Sequence, residues 1–468
     1  MSVAFKKDES PSYVLRHDRF LEIGSDLKIR VGDKDYNLID VSDFGCCFEG
    51  SVEDKESLSF QIMTPDSEEV VVQGQLECRW VDDQRTGCYF QEIEGGAGMV
   101  SAIASCWKIK PMIEIADHEY SNIPNTLKSL VYDIDHYLSV VKNQIQDYEN
   151  SMMVLSEQKR QQSKRAIIQL IGPSFIKRML DFSKSVDNIR DEIFEPSIKE
   201  SCIRFFRHNL MKYLSDAPIL KRSYEKPLGY AGDFEMMNQM YRHVPESSDT
   251  FGSLMHMYFN EEPACQSVRL RRGMFVHKFE EFAKKNPDKR LKVLSVGCGP
   301  AQEVAHFFET SDPEIVNRFE FVLMDQDVNA LLDAKTRISN ILLSKQLKAI
   351  VHYSQTGVRD LYNGTPPGPK DMKYDMVYSA GLYDYLNYGA ARRLTQILTG
   401  HLTKNKSEMV VGNFSKECYS KTIGECLVDW VLELRSEEEL LKVAPDDCPD
   451  AKIEKDEGGN QYFLCMKY

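Results

Sequence analysis

The sequence predicts a multidomain chain: an N-terminal β-barrel, a helical middle region and a C-terminal doubly wound α/β domain. Short strand-like segments occupy residues 10–98, with Gly, Asp and Ser between them. Apolar residues recur at intervals of three and four within residues 115–262. Strand-like and helix-like segments alternate over residues 263–468, and that alternation is typical of a parallel sheet.

The N-terminal segments are rich in β-branched and aromatic residues, and no helical spacer separates them. They read "DLKIRV", "YNLIDVS", "LSFQIMT", "EEVVVQGQLECRWV" and "GCYFQEI". Several short strands in succession indicate a small barrel or sandwich.

Two amphipathic segments define the helical region, "LVYDIDHYLSVVKNQI" and "AIIQLIGPSFIKRMLDFSK". The charged run between them, "EQKRQQSKR", is interpreted as a solvated helix face. The later part of this region lies just upstream of the α/β part, and we expect it to cover one edge of that part as a cap.

Six strand-like segments of the C-terminal part alternate with helices such as "VNALLDAKTRISNILLS" and "GAARRLTQILTGHL". The helices supply the right-handed crossovers that a parallel sheet requires. The strands read "KVLSVG", "FEFVLMD", "AIVHYS", "YDMVYSA", "EMVVGNF" and "QYFLCMKY".

Composition and charge exclude several classes of partner. The formal net charge of −14 disfavours non-specific binding of a nucleic-acid polymer or an anionic membrane. No apolar run is long enough to span a bilayer, and the N-terminus lacks a signal-peptide core, so we expect a cytoplasmic protein. The twelve cysteines form no C-x-x-C pair, and the histidines show no zinc-like spacing, so no metal is predicted.

The stretch "VLSVGCGPAQEV" (293–304) places two glycines where a strand passes into a helix. Gly297 and Gly299, on either side of Cys298, allow a tight turn and close approach of the backbone to a ligand. Asp325 ends the next strand, about 20–30 residues past the glycines, where a ribose-binding acid lies in such folds. The alternative is that Asp325 is a turn or cap residue.

A dinucleotide or S-adenosylmethionine fits a glycine turn with a strand-end acid. The dinucleotide fingerprint expects Gly or Ala where Gln302 stands, which disfavours a nicotinamide-dependent oxidoreductase. "VLSVGCGPA" instead resembles motif I of class I S-adenosylmethionine-dependent methyltransferases, with Ser295 and Ala301 as departures from it. The resemblance implies a Rossmann-like fold that binds S-adenosylmethionine, with Glu303 replacing the usual acid near the methionine end.

The same resemblance implies further cofactor contacts. Arg359 and Asp360 follow the third strand, where such enzymes contact adenine, and Ser379 ends the fourth strand. "EMVVGNF" and "QYFLCMKY" are expected to supply the hairpin at the sheet edge.

Four stretches narrow the resemblance: "YEKPLGYAGDFEMMNQMY", "SVRLRR", "YDMVYSAGLYDYL" and "DWVLELRSEEEL". Together they resemble bacterial methyltransferases that make 3-hydroxypalmitic acid methyl ester, an extracellular signal, over roughly residues 120–468. The resemblance implies a fatty-acyl acceptor, such as a 3-hydroxy fatty acid, whose carboxylate becomes a methyl ester.

Candidate catalytic residues lie in two of these stretches. Tyr230 and Asp233 are expected to face the site, although Asp233 suits a helix cap equally well. Tyr383 and Asp384, with Tyr385, are candidates for acceptor contact, the alternative being that a tyrosine packs the loop onto the sheet. Arg435 is interpreted as a partner for an acceptor carboxylate or as an ion-paired surface residue.

"DVSDFG" (40–45) resembles the D-x-S-x-x-G signature of PilZ domains, small barrels that often bind cyclic di-GMP. The resemblance implies nucleotide contacts from Asp40, Ser42 and Gly45. The R-x-x-x-R arm of that family is shortened in "LRHDRF", where Arg16 and Arg19 stand too close together. We therefore expect cyclic di-GMP to bind weakly or not at all.

Two functions from different classes remain open. One is an enzyme that methylates a small-molecule or fatty-acyl acceptor. The other is a regulatory protein that binds cyclic di-GMP or a partner through the barrel and keeps a methyltransferase-like domain as a cofactor sensor. The departures at Ser295 and Ala301 keep the second hypothesis open.

Overall fold

A computed structural model of the chain describes residues 27–42, 44–52, 57–63, 70–81, 84–95, 117, 119–403, 406–419 and 421–468. The chain divides into two compact units, Met1–Asn122 and Ile123–Tyr468. The predicted helical region and the α/β region therefore belong to one unit.

The first unit contains a closed antiparallel barrel of six strands in the order β1-β2-β3-β6-β5-β4. Alternate side chains fill its interior, among them Ile29, Phe48, Phe60 and Leu76, and the arrangement agrees with the small barrel that the sequence predicts. The strands are β1 Lys28–Val31, β2 Lys34–Ser42, β3 Gly45–Glu49, β4 Leu58–Met63, β5 Val70–Val81 and β6 Arg85–Ile93.

Among the described residues, eight α-helices open the second unit. The first buries Leu127, Val131, Ile134 and Leu138, which lie on one face because they are three or four residues apart. The charged run 157–165 forms the start of the second helix. The helices are α1 Asn125–Ser151, α2 Glu157–Asn188, α3 Arg190–Ile193, α4 Lys199–Leu210, α5 Pro218–Glu225, α6 Phe234–Arg242, α7 Thr250–Asn260 and α8 Pro263–Lys285.

A seven-stranded sheet follows, in the order β12-β13-β11-β10-β7-β8-β9. The five strands from β9 to β11 are parallel, and β13 pairs antiparallel with both β11 and β12. The strands are β7 Leu291–Val296, β8 Phe319–Asp325, β9 Ile350–Gln355, β10 Met376–Ser379, β11 Glu408–Phe414, β12 Asp450–Lys455 and β13 Gln461–Lys467.

Seven helices connect or flank these strands: α9 Gln302–Thr310, α10 Pro313–Val316, α11 Val328–Ser344, α12 Val358–Tyr362, α13 Tyr388–Thr399, α14 Lys421–Val428 and α15 Glu437–Leu441. Two apolar clusters fill the space between helices and sheet. Phe279, Phe307 and Phe321 belong to one cluster, and Leu394 and Met409 to the other. The doubly wound architecture that the sequence predicts is therefore present.

The edge hairpin differs from the sequence expectation. "EMVVGNF" and "QYFLCMKY" do pair as β11 and β13, but the outermost hairpin consists of β12 and β13. The strand β12 reads "DAKIEK" and is largely exposed, so it has little of the apolar character that marks a strand in sequence. Charged residues on an exposed edge protect it from pairing with other chains.

The sheet order places a topological switch point between β7 and β10. The chain runs outward from β7 through β8 to β9 and then returns to β10 on the other side of β7. The loops after β7 and β10 therefore diverge at the carboxyl edge, and ligands of doubly wound folds bind at this position. No helix of the described residues has the length and apolar character needed to cross a membrane.

Candidate functional site

A large cavity, the main cavity, opens at this switch point. Its volume of about 300 Å³ is at the lower end of the ~300–1,000 Å³ common for ligand sites. Its walls come from the 230–241 segment, from α8, and from the loops that follow β7, β8, β9, β10 and β11.

The two glycines of the β7–α9 turn have different roles. Gly297 has a φ of +64°, and an added Cβ would lie 3.1 Å from the Cβ of Leu382 in the β10 loop. Gly299 has a φ of +52°, and an added Cβ would meet no atom within 4 Å, because this position borders the main cavity. Gly297 thus allows close packing of the two loops, whereas Gly299 leaves the cavity open.

Asp325 joins the turn to the end of β8. One carboxylate oxygen accepts a hydrogen bond from the backbone N–H of Gly299 at 2.8 Å, and the other accepts one from Asp327 at 2.9 Å. Burial raises the pKa of Asp325, and these backbone donors partly offset the increase. The carboxylate borders the main cavity and still has free lone pairs. It can therefore accept hydrogen bonds from a ligand while it also holds the turn.

Arg271 of α8 and Glu303 of α9 bring opposite charges into the main cavity. The Arg271 guanidinium is buried and donates to the carbonyl of Ala380 at 3.2 Å, whereas its Nε has no hydrogen-bond partner. Burial disfavours the charged form of Arg271 and so lowers its pKa. Interactions with Tyr241, Asp384 and Glu303 have the larger combined effect, and the pKa of Arg271 is therefore raised. Glu303 accepts a hydrogen bond from the Tyr378 hydroxyl at 2.8 Å, and burial raises its pKa.

Asp384 lies in the β10 loop and also borders the main cavity. One of its carboxylate oxygens accepts a hydrogen bond from the backbone N–H of Phe414 at 2.6 Å. Burial raises the pKa of Asp384 to about 7, against the opposing effects of that bond and of Arg271 and Arg435. A carboxyl with this pKa exchanges a proton readily near neutral pH.

The segment that contains "KPLGYAGD" forms the outer wall. Tyr230 borders the cavity, and burial, with Asp325 nearby, raises the pKa of its phenol. Gly232 allows the closest approach, since an added Cβ would lie 2.3 Å from the hydroxyl of Tyr385. That hydroxyl accepts a hydrogen bond from Trp430 Nε1 at 3.0 Å. Three of the stretches that carry the resemblance therefore meet at this wall.

A polar network fastens the same wall to the glycine turn. Asn238 of α6 accepts hydrogen bonds from Gln302 at 2.7 Å and from Arg337 at 3.1 Å. Asn238 also donates to Asp333 at 3.0 Å, and Arg337 donates to the carbonyl of Pro300 at 2.8 Å. These bonds join α6 to the start of α9, and a cap over the active site stays a prediction.

Two predicted catalytic residues lie outside the cavity lining. Asp233 is buried, caps α6 by accepting from the N–H of Met236 at 2.9 Å, and places both oxygens 2.8 Å from Arg222 Nε. Tyr383 is fully buried, with its hydroxyl 3.0 Å from that of Thr395. Asp233 and Tyr383 therefore have the structural roles that the sequence analysis gave as alternatives. Of the two tyrosines in this loop, Tyr385 is the one that borders the cavity.

The structure also places three of the predicted cofactor contacts away from the cavity lining. Arg359 and Asp360 are exposed, and the Asp360 carboxylate accepts a hydrogen bond from the N–H of Gly357 at 2.8 Å. Ser379 is fully buried, and its hydroxyl has no hydrogen-bond partner among the described residues. After β9, the cavity is instead lined by Thr356, Gly357 and Val358. Cys298, between the two glycines, also lines it.

Arg435 has neither of its predicted roles. It is buried and donates to the backbone carbonyls of Tyr383, at 2.9 Å, and Leu386, and to the side chain of Asn413. These bonds hold the β10 loop against β11, and Arg435 does not line the main cavity.

The barrel motif forms the β2–β3 connection. The Ser42 hydroxyl donates to the carbonyl of Gly45 at 3.2 Å and accepts from the N–H of Phe44 at 3.3 Å. An added Cβ at Gly45 would lie 2.1 Å from the carbonyl oxygen of Cys88, so this position requires glycine. Asp40 is buried on β2, and Arg16 and Arg19 lie outside the described residues.

The sequence reasoning missed Arg271, although "SVRLRR" contains it. The stretch contains three arginines, and nothing in their order shows that Arg271 is the buried one. The one indication of its role in the sequence was the position of this stretch, on the helix that directly precedes β7. The described residues contain no cluster of His, Cys, Asp and Glu suited to a metal ion.

No protein-family model matches the sequence, and no curated protein matches it either. Solved structures do match. A protein described as a possible exported protein of Bordetella parapertussis is 18% identical, covers 53% of this chain and 85% of its own, and has a TM-score of 0.41. A magnesium protoporphyrin IX methyltransferase of Synechocystis PCC 6803 with bound SAH is 10% identical, covers 53% and 97%, and has a TM-score of 0.35.

An O-methyltransferase family protein of Burkholderia thailandensis is 15% identical, covers 57% of this chain and 70% of its own, and has a TM-score of 0.34. Each of these likenesses extends over about half of the chain. Because the identities and TM-scores are low, the function of the chain has to follow from its own residues.

Proposed function

We propose that this chain is an S-adenosylmethionine-dependent methyltransferase. The observation that carries the proposal is the pair of buried opposite charges, Arg271 and Glu303, beside a glycine turn joined to Asp325. This arrangement lies at the switch point of a doubly wound sheet, where such folds bind their ligands.

The residues present fit the cofactor group by group. Arg271 would bind the carboxylate of its amino-acid end, and the unpartnered Nε gives that side chain a donor to spare. Glu303 would accept hydrogen bonds from the ammonium group. Asp325 would accept from the ribose hydroxyls, and the segment Thr356–Val358 would lie against the base.

When bound, the cofactor supplies an activated methyl group on a sulfonium. The main cavity then contributes alignment of the acceptor and exclusion of water, which are the larger part of catalysis for an in-line displacement. Asp384 would remove the proton from an acceptor hydroxyl, because a carboxyl with a pKa of about 7 is a competent base near neutral pH.

Charge favours a hydroxyl acceptor over a carboxylate. Arg271 is the single cation of the described cavity lining, and its partner in this proposal is the cofactor. A second carboxylate would then face Asp384 and Glu303 without a cation of its own, and unpaired buried charge is costly. The resemblance implies that the carboxylate of a 3-hydroxy fatty acid is the group that is methylated. This stays a prediction, and the acceptor experiment tests it.

Binding of S-adenosylhomocysteine and of 5′-methylthioadenosine, which lacks the amino-acid end, tests the cofactor site. We expect Asp325→Ala to weaken binding of both by about 1–3 kcal/mol, as loss of hydrogen bonds to a charged group does. Arg271→Met should weaken binding of S-adenosylhomocysteine alone. Gly299→Val should abolish binding, because its side chain enters the cavity.

Asp288→Ala is the matched control, since this exposed carboxylate lies outside the cavity lining and we expect calorimetry to show unchanged binding. Thermal unfolding of each variant establishes that it is folded. Unchanged binding of S-adenosylhomocysteine in folded Arg271→Met and Asp325→Ala would refute the proposed cofactor site.

The acceptor is tested with 3-hydroxyhexadecanoic acid, which offers a hydroxyl and a carboxylate in one molecule. We expect the full-length protein and S-adenosylmethionine to give a methyl ether, which resists mild base, because Asp384 activates the hydroxyl. Mass spectrometry before and after base treatment identifies the product. A base-labile methyl ester would show that the carboxylate is the acceptor and that the hydroxyl assignment is wrong.

A further inference from the structure

Three cysteine side chains lie side by side inside the barrel. Cys46 of β3, Cys88 of β6 and Cys78 of β5 all belong to its apolar core, and they are 4, 7 and 6% exposed. The three strands are neighbours in the order β3-β6-β5. Cys47, next in sequence, points to the opposite face of β3, because successive residues of a strand alternate in direction. We call Cys46, Cys88 and Cys78 the cysteine row.

The register of the strands makes Cys88 the centre of this row. Cys88 is directly opposite Cys46 on one side and directly opposite Cys78 on the other. Opposite residues of antiparallel strands have Cα atoms about 4.5 or 5.5 Å apart, and a disulfide needs about 4.4–6.8 Å. Cys46 and Cys78 are two strand spacings apart, about 9–10 Å, which exceeds that reach. Either neighbour can therefore bond to Cys88, but the two neighbours cannot bond to each other.

The sulfur atoms of the row are already in contact. Cys88 Sγ donates to Cys78 Sγ at 3.4 Å. On its other side, the contact with Cys46 raises the pKa of the Cys88 thiol, and burial adds to the increase. Because the backbone register is already suitable, rotation of the side chains is enough to convert such a contact into a bond.

The surroundings of the row determine which oxidant it fits. The small exposed fraction of each side chain admits a molecule of the size of hydrogen peroxide, but not a tripeptide disulfide. A thiol with a raised pKa reacts slowly, since the thiolate is the nucleophile. The same surroundings do not stabilise the reduced pair as a thiolate, so a disulfide that forms here resists reduction.

We propose that the cysteine row is an oxidation site for hydrogen peroxide, at which Cys78 and Cys88 form a disulfide and Cys46 is the alternative partner of Cys88. One thiolate attacks peroxide, so that an S–O bond forms, the O–O bond breaks, and the leaving hydroxide takes up the proton of that thiol as water. The second sulfur then attacks the sulfenic sulfur. The S–S bond forms, the S–O bond breaks, and hydroxide leaves with the second thiol proton as water. The two thiols lose two electrons, and peroxide gains them.

The experiment treats the full chain with hydrogen peroxide in the absence of denaturant, blocks the remaining thiols by alkylation, and digests with trypsin. Arg79 and Arg85 lie between Cys78 and Cys88 in sequence, so cleavage leaves the two cysteines on separate peptides that only a disulfide joins. We expect mass spectrometry to find this linked pair, two hydrogen atoms lighter than the sum of its peptides. Oxidised glutathione at the same concentration should give none of it.

Single substitutions test the geometry of the row. Cys78→Ala should move the bond to the pair of Cys46 and Cys88. Cys88→Ala should abolish every bond within the row, because Cys46 and Cys78 are out of each other's reach. Cys47→Ala is the matched control: it removes a buried thiol next to Cys46 that is opposite Gly87 on β6, and the bond between Cys78 and Cys88 should form as before. Thermal unfolding establishes that each variant is folded.

Oxidation of Met153, which is 68% exposed, shows that the peroxide dose is sufficient. The proposal is overturned if this methionine is oxidised while the row stays reduced, or if its thiols are oxidised singly to sulfinic acid. A bond between Cys46 and Cys78 in Cys88→Ala would also overturn it, as would a linked pair that forms only in the unfolded chain. None of these outcomes bears on the cofactor site, which lies in the other unit.

Discussion

At the scale of single residues, Asp384 is the titrating group with the clearest consequence for activity. Its pKa of about 7 means that the carboxylate form, the one able to accept a proton, predominates only above neutral pH. We expect kcat/KM for methyl transfer to a hydroxyl acceptor to rise with pH through about 7 and then to level off. Initial rates between pH 5.5 and 9 measure this, because kcat/KM reports ionisation in the free enzyme.

Asp384→Asn provides the control for that pH profile. The amide oxygen can still accept the hydrogen bond from Phe414, so the loop keeps its anchor while the base is lost. The variant should bind S-adenosylhomocysteine normally and show a low, pH-independent rate. In the unmodified protein, a rate that falls as pH rises would instead indicate that neutral Asp384 donates to a carboxylate acceptor.

Single residues were predictable from sequence where backbone geometry determines their role, and less so where side-chain direction does. The turn of Gly297 and Gly299 and the strand-end position of Asp325 follow from the order of strands, and the structure brings them together. Tyr383 and Tyr385 stand two residues apart on one helical turn, and only packing against Thr395 or Trp430 decides which reaches the cavity.

At the scale of elements, the parallel strands were predictable because each is a short apolar run beside a helix. The strand β12 was not, since it is defined by pairing with β13, from Lys455 opposite Tyr462 to Asp450 opposite Lys467, rather than by its own composition. The cap shows the same contrast. Asp233 begins α6 as a local cap, but the placement of α6 over α9 depends on Asn238 and Gln302, which are distant in sequence.

At the scale of the whole molecule, the cavity and all its lining residues lie in the unit Ile123–Tyr468, and the barrel belongs to the other unit. Regulation of one by the other requires a ligand that binds two states of the chain with different affinity. Ser42 and Gly45 already have structural roles in their turn, and the arginine arm is shorter than the R-x-x-x-R signature that it resembles.

We therefore expect cyclic di-GMP to bind more weakly than micromolar, or not at all, and to leave methyl transfer unchanged. The reason is the loss of a bidentate contact between arginine and phosphate. With Arg19 as the second arginine of the arm, Leu15 stands at the position of the first, and leucine cannot bind phosphate. Calorimetric titration of the full chain, with methyl transfer measured at the same nucleotide concentrations, is the test. Tight, saturable binding that disappears in Arg19→Ala would show that the barrel is a working sensor.

The hydrogen bond between Asn238 and Gln302 also has a consequence for the order of events in a catalytic cycle. Together with the bond from Arg337 to the carbonyl of Pro300, it fastens α6 to the start of α9 beside the glycine turn. If the cofactor binds at that turn as proposed, we expect its spent form to leave more readily when the network of Asn238, Arg337 and Asp333 is open. Departure of the product nucleoside would then limit turnover alongside the transfer itself, and turnover would depend on the stability of these few polar contacts.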